Sequence, residues 1–472
     1  MPTAPWRRSA YDRESLRLAL PAFGALVAEP LYVLADTAVV GHLGSAQLAG
    51  VAVAGTVLTS SFWIFNFLAS GTGAIVARRL GADDPRGAVE HAVQAHWTAL
   101  GLGLAVAAVG LLIAPYAVRV FTPDEDVRAF ALLYLRISLL GAPAFLTILA
   151  GVGLRRGLQD TVTPLVVVLV SNGANLALEL LLIYGLGMGV GASAFATVVA
   201  QYSAATTFLV LLRRTARAEG ASLRPDGAGL RHVAVFGGFL TVRTSALVGA
   251  FAVATAIAGR LGTTSLAAHQ IAWQIWVFLA FALDAIAIAA EAMTGRALGA
   301  GRPREARDAA NRMLGWGLLT GVSVGVLVVV GRPLLAAVFT DDPAVRALAE
   351  HTLWFVAAMQ PLNAVVFVLD GVLIGAGDVR YVAAAMLVSF AAFVPAAIAA
   401  LEIGGTLGWL WAAIILLLVV RAATTLGRFV TDRWQLVGET PGELSAGSPV
   451  LTVPPRSAAD SQDGAGARRA SS

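Results

Sequence analysis

Residues Glu29-Pro-Leu-Tyr-Val-Leu-Ala-Asp-Thr-Ala-Val-Val-Gly-His-Leu-Gly44 end an apolar run that begins near Leu16. A run of this length can cross a bilayer, for which about 20 residues suffice. Glu29 and Asp36 stand seven residues apart within it, so a helix places both carboxylates on one face, roughly 10 Å apart along the axis. Pro30 lies between them and removes a backbone donor, which predicts a hinge in this helix.

Carboxylates inside a bilayer cost free energy unless they face a partner or a water-filled cavity, and they typically mark ion or substrate paths. We therefore predict that Asp36 takes part in ion or substrate binding, with Glu29 as a second candidate. The alternative is that the end of the helix dips into the headgroup region, where a carboxylate is hydrated.

The composition indicates a polytopic membrane protein. Of the 472 residues, 58% are hydrophobic and 13% are charged, and the mean hydropathy of +0.77 lies outside the soluble range. The net charge of +4 does not predict a nucleic-acid partner, because the basic residues fall in short loops, where they set membrane orientation. The lack of cysteine excludes disulfides and thiolate metal sites, and the six histidines show no metal-ligand spacing.

Twelve apolar runs predict an all-α protein with twelve transmembrane helices. They fall at residues 16–40, 48–77, 92–118, 127–152, 163–184, 188–212, 233–258, 266–293, 310–331, 345–372, 379–401 and 406–430. Arginines precede the first run and cluster after the second, fourth, sixth and eighth, which places both termini in the cytoplasm by the positive-inside rule. The first run is full length and lacks a cleavage site, so we expect no signal peptide. The expected location is a cell membrane, such as the bacterial inner or plasma membrane.

The two halves of the chain repeat without a gap, at a constant difference in residue number of 259 − 41 = 218, which we call the repeat offset. Gly41-His-Leu-Gly44 recurs as Gly259-Arg-Leu-Gly262, and Ala77-Arg-Arg-Leu-Gly-Ala82 recurs as Gly295-Arg-Ala-Leu-Gly-Ala300. Each half holds six runs, an even number, so both halves enter the membrane from the same side. The repeat therefore predicts two six-helix bundles related by a pseudo-two-fold axis along the membrane normal, with a central cleft between them, which is a transporter architecture.

Five segments follow from this division. We expect a cytoplasmic N-terminus at 1–15, a first lobe at 16–212, a cytoplasmic linker at 213–232, a second lobe at 233–430 and a tail at 431–472. The tail is rich in Ser, Pro, Gly and Ala, a composition typical of disorder.

Several motifs, in their order and spacing, resemble the multidrug and toxic compound extrusion (MATE) family, specifically its DinF-like branch. In the first half these are Asp36-Thr-Ala-Val-Val-Gly-His-Leu-Gly44, Gly153-Leu-Arg-Arg-Gly-Leu-Gln-Asp160, Asn175-Leu-Ala-Leu-Glu179 and Gly191-Ala-Ser-Ala-Phe-Ala-Thr197. The second half contributes residues 243–262 and Asp284-Ala-Ile-Ala-Ile-Ala-Ala-Glu291-Ala-Met-Thr-Gly295. The resemblance covers roughly residues 15–430.

The resemblance implies a V-shaped pair of six-helix lobes that exports organic, often cationic, compounds in exchange for H⁺ or Na⁺. It also implies that the coupling residues lie in the first lobe, where the family's aspartate, asparagine, carboxylate and threonine match Asp36, Asn175, Glu179 and Thr197. The family commonly has aspartate where this chain has Glu179, so the pocket has a different shape. No cofactor is implied beyond the coupling ion.

The topology independently supports a first-lobe cluster. The first and fifth helices run in the same direction, and Asp36 and Glu179 both lie near the outer ends of their helices. Asn175 stands one turn from Glu179 on the same face and can hydrogen-bond a carboxyl group. Two carboxylates in a low-dielectric pocket repel one another and are poorly solvated, which favours proton uptake. The alternative is a purely structural polar network that joins the first, fifth and sixth helices.

A second polar cluster is expected in the other lobe. Asp284 and Glu291 are seven residues apart on the eighth helix, and Arg243 lies near the middle of the seventh. An unpaired arginine there would be costly, so we predict an ion pair between Arg243 and one of these two carboxylates. Asp370, near the inner end of the tenth helix, is a further candidate.

Aromatic residues crowd two helices that should border the cleft. Phe62 and Trp63 on the second helix, and Trp273 and Trp276 on the eighth, would suit flat lipophilic cations. Side chains of this kind also commonly pack in a core or face lipid.

Three functions compete at this point. The first is an H⁺- or Na⁺-coupled antiporter, with H⁺ favoured, that acts as a monomer in the lipid bilayer and exports small organic compounds. The alternative is a flippase for a lipid-linked precursor, which would need a strongly cationic cavity for a pyrophosphate headgroup. Within the spans acidic residues outnumber arginine, which disfavours the flippase. An intramembrane enzyme would need a metal site or an activated nucleophile, and the sequence shows neither.

Overall fold

The computed structural model describes residues 10–437 of the chain. Fourteen α-helices make up nearly all of this range. They are α1 (Ala10–Gly41), α2 (Ser45–Phe62), α3 (Phe67–Gly81), α4 (Pro85–Phe121), α5 (Glu125–Leu139), α6 (Ala142–Gly157), α7 (Val162–Leu180), α8 (Gly191–Ala218), α9 (Gly227–Arg260), α10 (Thr263–Gly299), α11 (Pro303–Phe339), α12 (Pro343–Gly375), α13 (Val379–Ala399) and α14 (Leu407–Val430). A 3₁₀ turn (Trp63–Asn66) joins α2 to α3, and π-helical turns extend α7 (Leu181–Gly185) and α13 (Ala400–Gly404).

The helices account for twelve membrane spans. Ten are each long and apolar enough to cross a bilayer, and two further spans are bent pairs: α2 with α3, at 44°, and α5 with α6, at 49°. Spans one to six form the first lobe and spans seven to twelve the second. The lobes are joined by residues 219–226, a shorter linker than the predicted 213–232, because α8 and α9 both extend into it.

Aspartate side chains fix where several helices begin. Asp124 Oδ1 accepts a hydrogen bond from the Val127 amide (3.0 Å), and Asp342 Oδ1 caps α12 in the same way, from the Ala344 amide (2.8 Å) and the Val345 amide (3.3 Å). These caps satisfy amides that have no partner within the helix. The two aspartates are separated by the repeat offset, so the internal repeat extends to the local structure of the helix starts.

Close backbone packing inside each lobe follows the same offset. A Cβ atom placed on Gly153 would lie 2.5 Å from the carbonyl oxygen of Ala69, and one on Gly371 would lie 2.3 Å from that of Ala287. Gly371 is separated from Gly153, and Ala287 from Ala69, by the repeat offset. Each lobe therefore packs its second span against its fourth through the same glycine, and the structure confirms the predicted register.

The lobes meet across the pseudo-two-fold axis at two glycines. A Cβ on Gly81 would lie 2.0 Å from the Arg296 carbonyl oxygen, and one on Gly299 would lie 1.9 Å from the Arg78 carbonyl oxygen. The two contacts are reciprocal, since Gly81 and Gly299, like Arg78 and Arg296, are separated by the repeat offset. Only glycine allows the backbones of α3 and α10 to approach so closely.

We call the side at which α1 begins and α14 ends the termini side, and the opposite side the far side. Asp12 of α1 accepts hydrogen bonds from Arg312 Nε (2.5 Å) and Nη2 (2.7 Å) and from Trp316 Nε1 (2.9 Å), both on α11. Ser15 Oγ contacts Met293 Sδ at 3.8 Å. Among the described residues, the hydrogen bonds and ion pairs between the lobes all lie on the termini side.

The chain after α14 corrects the predicted start of the disordered tail. Trp434 is fully buried and stacks on Phe429, with ring centroids 5.4 Å apart. Arg78 of the first lobe donates to the Leu436 carbonyl at 2.7 Å. Residues 431–437 are therefore packed against the termini side of both lobes, while the rest of the predicted tail, like residues 1–9, lies outside the described residues.

Replacing Gly299 by leucine should weaken the contact between the lobes, because the added side chain would overlap the backbone carbonyl of Arg78. Forced overpacking of this kind costs about 1–3 kcal/mol. The chain has no cysteine, so Ser15→Cys with Met293→Cys provides a single disulfide reporter for the closed termini side. We expect the oxidative cross-linking yield of this pair to fall in Gly299→Leu.

The matched control is Gly315→Leu, since a Cβ at Gly315 meets nothing within 4 Å. Equal cross-linking yields in the two leucine variants would contradict the importance of this contact.

Candidate functional site

Helix α1 carries Asp36 into the interior of the first lobe. Its side chain is 6% exposed, and Oδ1 accepts hydrogen bonds from Ser193 Oγ of α8 (2.8 Å) and from the Tyr32 hydroxyl one turn earlier on α1 (3.4 Å). Tyr32 can reach Asp36 because residues four apart lie on the same helix face. A carboxylate is thus held between two helices by hydroxyl donors.

Glu179, near the end of α7, is buried beside Asp36. Its side chain is 0% exposed, and its carboxyl group interacts with the carboxyl of Asp36 and the hydroxyl of Ser193. Neither Glu179 oxygen accepts a well-formed hydrogen bond, however, since Ser193 donates to Asp36. Ionised carboxylates have no donor, so two of them side by side form a hydrogen bond only when one is protonated. The predicted meeting of these two carboxyl groups is present in the structure.

Asn175 and Thr197 complete the cluster through Tyr32. The amide nitrogen of Asn175 donates to the Tyr32 hydroxyl (2.5 Å) and to Thr197 Oγ1 (3.2 Å), and Tyr32 lies 3.3 Å from Thr197 Oγ1. The sequence predicted that Asn175 hydrogen-bonds a carboxyl group; instead, it reaches Asp36 through Tyr32. The difference arises because Tyr32 occupies the space between α1 and α7.

Three residues of this cluster, Tyr32, Ser193 and Tyr134, were not predicted from the sequence. Tyr32 and Ser193 each lie one helical turn from a predicted residue, Asp36 and Thr197 respectively, and that spacing was the available signal. Tyr134 of α5 is also buried against the cluster, where it interacts with Asp36 and Ser193. Its sequence context offers no signal, because tyrosine on an apolar helix commonly packs in a core.

Glu29 and Pro30 lie outside this cluster. Glu29 is exposed and forms no hydrogen bond or ion pair with any residue between 10 and 437. Helix α1 continues without a break through Pro30, so the structure contains the proline within a helix but does not test the predicted hinge.

In the second lobe, the expected ion pair has a different carboxylate. Arg243 of α9 pairs with Asp370 of α12, and Arg421 of α14 pairs with the same carboxylate oxygen. The prediction of Asp284 or Glu291 as the partner of Arg243 is wrong. Helix α12 brings Asp370 between the two arginines, and sequence spacing along one helix does not show which neighbouring helix lies opposite.

Asp284 and Glu291 lie where the lobes meet. A Cβ atom on Gly73 of the first lobe would lie 3.1 Å from Glu291 Oε1 and 3.9 Å from Cβ of Arg156. Arg156, at the end of α6, interacts electrostatically with both carboxylates. This region therefore groups three arginines with three carboxyl groups, and both lobes contribute to it.

The four predicted cleft aromatics divide into two groups. Trp63 is 47% exposed, and Phe62 stacks on Phe145 with ring centroids 5.0 Å apart. Trp273 and Trp276 stack on each other at 5.0 Å, and Trp276 is only 5% exposed within the core of the second lobe. The prediction that Trp276 lines the cleft is therefore wrong, because its ring is covered by its own lobe.

The described residues contain no group of three His, Cys, Asp or Glu side chains that could hold a metal ion. The buried oxygens of the first-lobe cluster that lack a donor are those of Glu179 and Oδ1 of Asn175. Such oxygens suit a proton or a monovalent cation.

Two repeated six-span lobes around a cleft, with a buried carboxyl pair inside one of them, define a polytopic membrane transporter. The chain belongs to the MatE family, whose family model matches residues 21–181 and 241–399, one segment in each lobe. This membership confirms the resemblance inferred from the motifs. The two matched segments also agree with the internal repeat.

Named relatives cover most of the chain. Protein DETOXIFICATION 44, chloroplastic, from Arabidopsis thaliana is 32% identical over 443 residues, which are 91% of this chain and 84% of the relative. DNA damage-inducible protein F from Escherichia coli (strain K12) is 30% identical over 390 residues, 81% and 84% of the two chains.

A solved structure shares the fold. An outward-facing multidrug resistance MATE family transporter of the MOP superfamily superimposes with a TM-score of 0.81 at 21% identity, covering 91% of this chain and 96% of that one. The likeness confirms the two-lobe architecture.

Removing one arginine from the second-lobe ion cluster should destabilise the protein. Arg421→Met leaves Asp370 with one partner in a buried site, and breaking a buried pair costs about 3–5 kcal/mol. We expect a clear fall in the unfolding temperature in detergent, and partial recovery when Asp370→Asn is added. Arg346→Met is the control, since its pair with Glu350 is half exposed and such pairs contribute about 0–1 kcal/mol. Equal melting temperatures for Arg421→Met and Arg346→Met would contradict a structural role.

Proposed function

We propose that the protein is a proton-coupled antiporter that exports small organic, mainly cationic, compounds by alternating access, with Asp36 and Glu179 as the coupling pair. The observation that carries this proposal is the burial of Glu179 beside Asp36 without a well-formed hydrogen bond to either oxygen. One proton placed between the two carboxyl groups supplies the missing donor. Ionised carboxylates left alone at this depth would repel each other and lack solvation.

A proton is favoured over Na⁺ by the donors around the site. Asp36 Oδ1 already accepts from Ser193 and Tyr32, and the Asn175 amide group points its N–H bonds towards Tyr32 and Thr197. The hydrogens of these groups are thus committed to Asp36, Tyr32 and Thr197, which leaves both Glu179 oxygens without a donor. A proton bridging the carboxyl groups needs no further ligands.

Coupling follows if proton and substrate respond to the same charge. With the pair deprotonated, its negative charge attracts a cationic substrate, and protonation from the far side removes that attraction. We propose that protonation also lets α1 bend at Pro30, where the ring removes one backbone hydrogen bond, and that this movement narrows the pocket. Two ligands that compete for one charge state lower each other's affinity by the same factor.

Alternating access also requires the lobes to separate on the termini side, where the contacts of Asp12, Gly81 and Gly299 now hold them together. The second-lobe charges act as a strut in this proposal, because Asp370 is occupied by two arginines. Arginine remains protonated in proteins, so its partner is held in the ionised form.

The membrane location and orientation are inferred from charge. The helix ends on the termini side carry Arg78, Arg79, Arg155, Arg156 and Arg296, which supports a cytoplasmic termini side in a cell membrane. Export then proceeds towards the far side.

The names of relatives support the substrate class. They include DETOXIFICATION proteins and a Multidrug resistance protein MdtK from Edwardsiella ictaluri, 26% identical over 390 residues. The flippase alternative gains no support among the described residues, because Arg243 and Arg421 are both engaged by Asp370 and Arg156 lies near Asp284 and Glu291.

Asp36→Asn should abolish proton-driven export while the protein still inserts into the membrane. The amide keeps the shape of the side chain but cannot be ionised, so proton and substrate no longer compete; coupling energies of this kind are typically about 5–150-fold. Purified protein in liposomes under an imposed pH gradient measures the effect. We expect Glu179→Gln to be impaired less completely, because Asp36 retains its charge.

Asp341→Asn is the control, since this exposed loop carboxylate forms no hydrogen bond or ion pair with the described residues. Flux at the level of this control in Asp36→Asn would exclude Asp36 as the coupling residue.

A further inference from the structure

The side of α1 that faces the second lobe is buried near the start of the helix and exposed further along it. Ser15, Ala22 and Glu29 follow at intervals of seven residues and therefore lie on the same side of α1. Ser15 and Ala22 are buried, and Ser15 contacts Met293 of the second lobe. Glu29 is exposed, so the second lobe no longer covers α1 at this depth.

This exposure is not to lipid. Leu20, which is 63% exposed, marks the exposed apolar side of α1 together with Leu31 and Leu34, and an apolar side of this kind suits contact with lipid. Glu29 lies nine residues after Leu20, which at about 100° per residue puts it on the opposite side of the helix. Asp36, seven residues further on, is buried inside the first lobe. Glu29 is therefore a carboxylate at the floor of the cleft, just beyond the closed termini side.

The opposite wall of the cleft is built by α10. Gln274, Phe281, Ile288 and Gly295 follow at intervals of seven residues. Gly295 packs on the first lobe, where an added Cβ would lie 3.3 Å from Cβ of Ala77. Towards the far side the same face separates from the first lobe, since Gln274 is exposed and Phe281 is half-buried.

Phe278 and Phe281 form one aromatic surface. Their rings meet edge to face, with centroids 6.4 Å apart, and Phe278 is 48% exposed. Neither helix places an arginine among these residues, so the cleft floor presents an unpaired carboxylate on one wall and an aromatic pair on the other.

We propose that Glu29, with Phe278 and Phe281, forms a substrate subsite for organic monocations that carry aromatic rings. Glu29 has no partner among the described residues, so its charge is balanced by water until a cation replaces that water. Aromatic rings of the ligand pack against the phenylalanine pair, where a cation also gains from the ring faces. This inference rests on the proposed export function. Within that function, Asp36 and Glu179 couple transport to protons, whereas Glu29 selects substrates by their positive charge.

The test compares two ligands of similar shape, tetraphenylphosphonium, a permanent monocation, and triphenylphosphine oxide, which is uncharged. Their affinities for the purified full-length protein in detergent are measured by calorimetry for wild type, Glu29→Gln, Glu29→Asp and Glu402→Gln. Glu402 is the matched control, because it is an exposed glutamate at the far end of the second lobe. We expect Glu29→Gln to bind tetraphenylphosphonium about tenfold more weakly, a loss of about 1.4 kcal/mol. Triphenylphosphine oxide should bind unchanged, and Glu29→Asp and Glu402→Gln should resemble wild type.

Equal tetraphenylphosphonium affinity in wild type and Glu29→Gln would overturn the subsite while leaving proton-coupled export intact. Equal loss of both ligands in Glu29→Gln would also overturn it, since that result shows a change of shape and not of charge recognition. A wild-type protein that binds tetraphenylphosphonium no better than triphenylphosphine oxide would overturn the subsite together with the proposed preference for cations. The proposed coupling is tested separately by Asp36→Asn, so the two failures are distinguishable.

Discussion

A charge inside a bilayer must have a counter-charge, a proton or water, because a bare ionised side chain at the centre of a span costs at least about 2.5–3.5 kcal/mol. The ionisable groups within the spans of this protein include one arrangement suited to each of these three solutions. Asp370 is held between Arg243 and Arg421. Asp36 and Glu179 lie against each other with too few donors for two ionised groups. Glu29 is exposed where the lobes part. In the proposed function the first arrangement is static, the second takes up protons, and the third binds a cationic ligand.

The internal repeat supplies the frame but not this chemistry. The glycine contacts at Gly153 and Gly371, and those at Gly81 and Gly299, are near copies of each other at the repeat offset. The position equivalent to Asp36 in the second lobe is Ala254, which is fully buried. A symmetric scaffold therefore carries a buried carboxyl pair in one lobe and an ion cluster in the other. In the proposed mechanism, the lobes rock about a shared axis and only the first lobe takes up protons.

The sequence predicted the architecture well because spans and repeats are local or periodic properties. Twelve apolar runs and one ungapped offset were enough for the lobes and their symmetry. The meeting of Asp36 and Glu179 was also predictable, since equal depth on two parallel helices brings side chains to one level. The partner of Arg243 was not, because the rotation of each helix about its own axis decides which side chains face one another. Trp276 was misplaced for a related reason, since a lobe core and a cleft wall are both built from aromatic residues in a membrane protein.

The central claim, that protons act through the buried carboxyl pair, is tested most directly with the wild-type protein in liposomes. Transport of tetraphenylphosphonium is followed with the membrane potential clamped to zero by valinomycin and equal potassium, first under a pH gradient alone and then under a Na⁺ gradient alone. A proton shared by Asp36 and Glu179 predicts transport against the substrate gradient with the pH gradient and none with Na⁺. Transport driven by Na⁺ alone, with no response to pH, would contradict it.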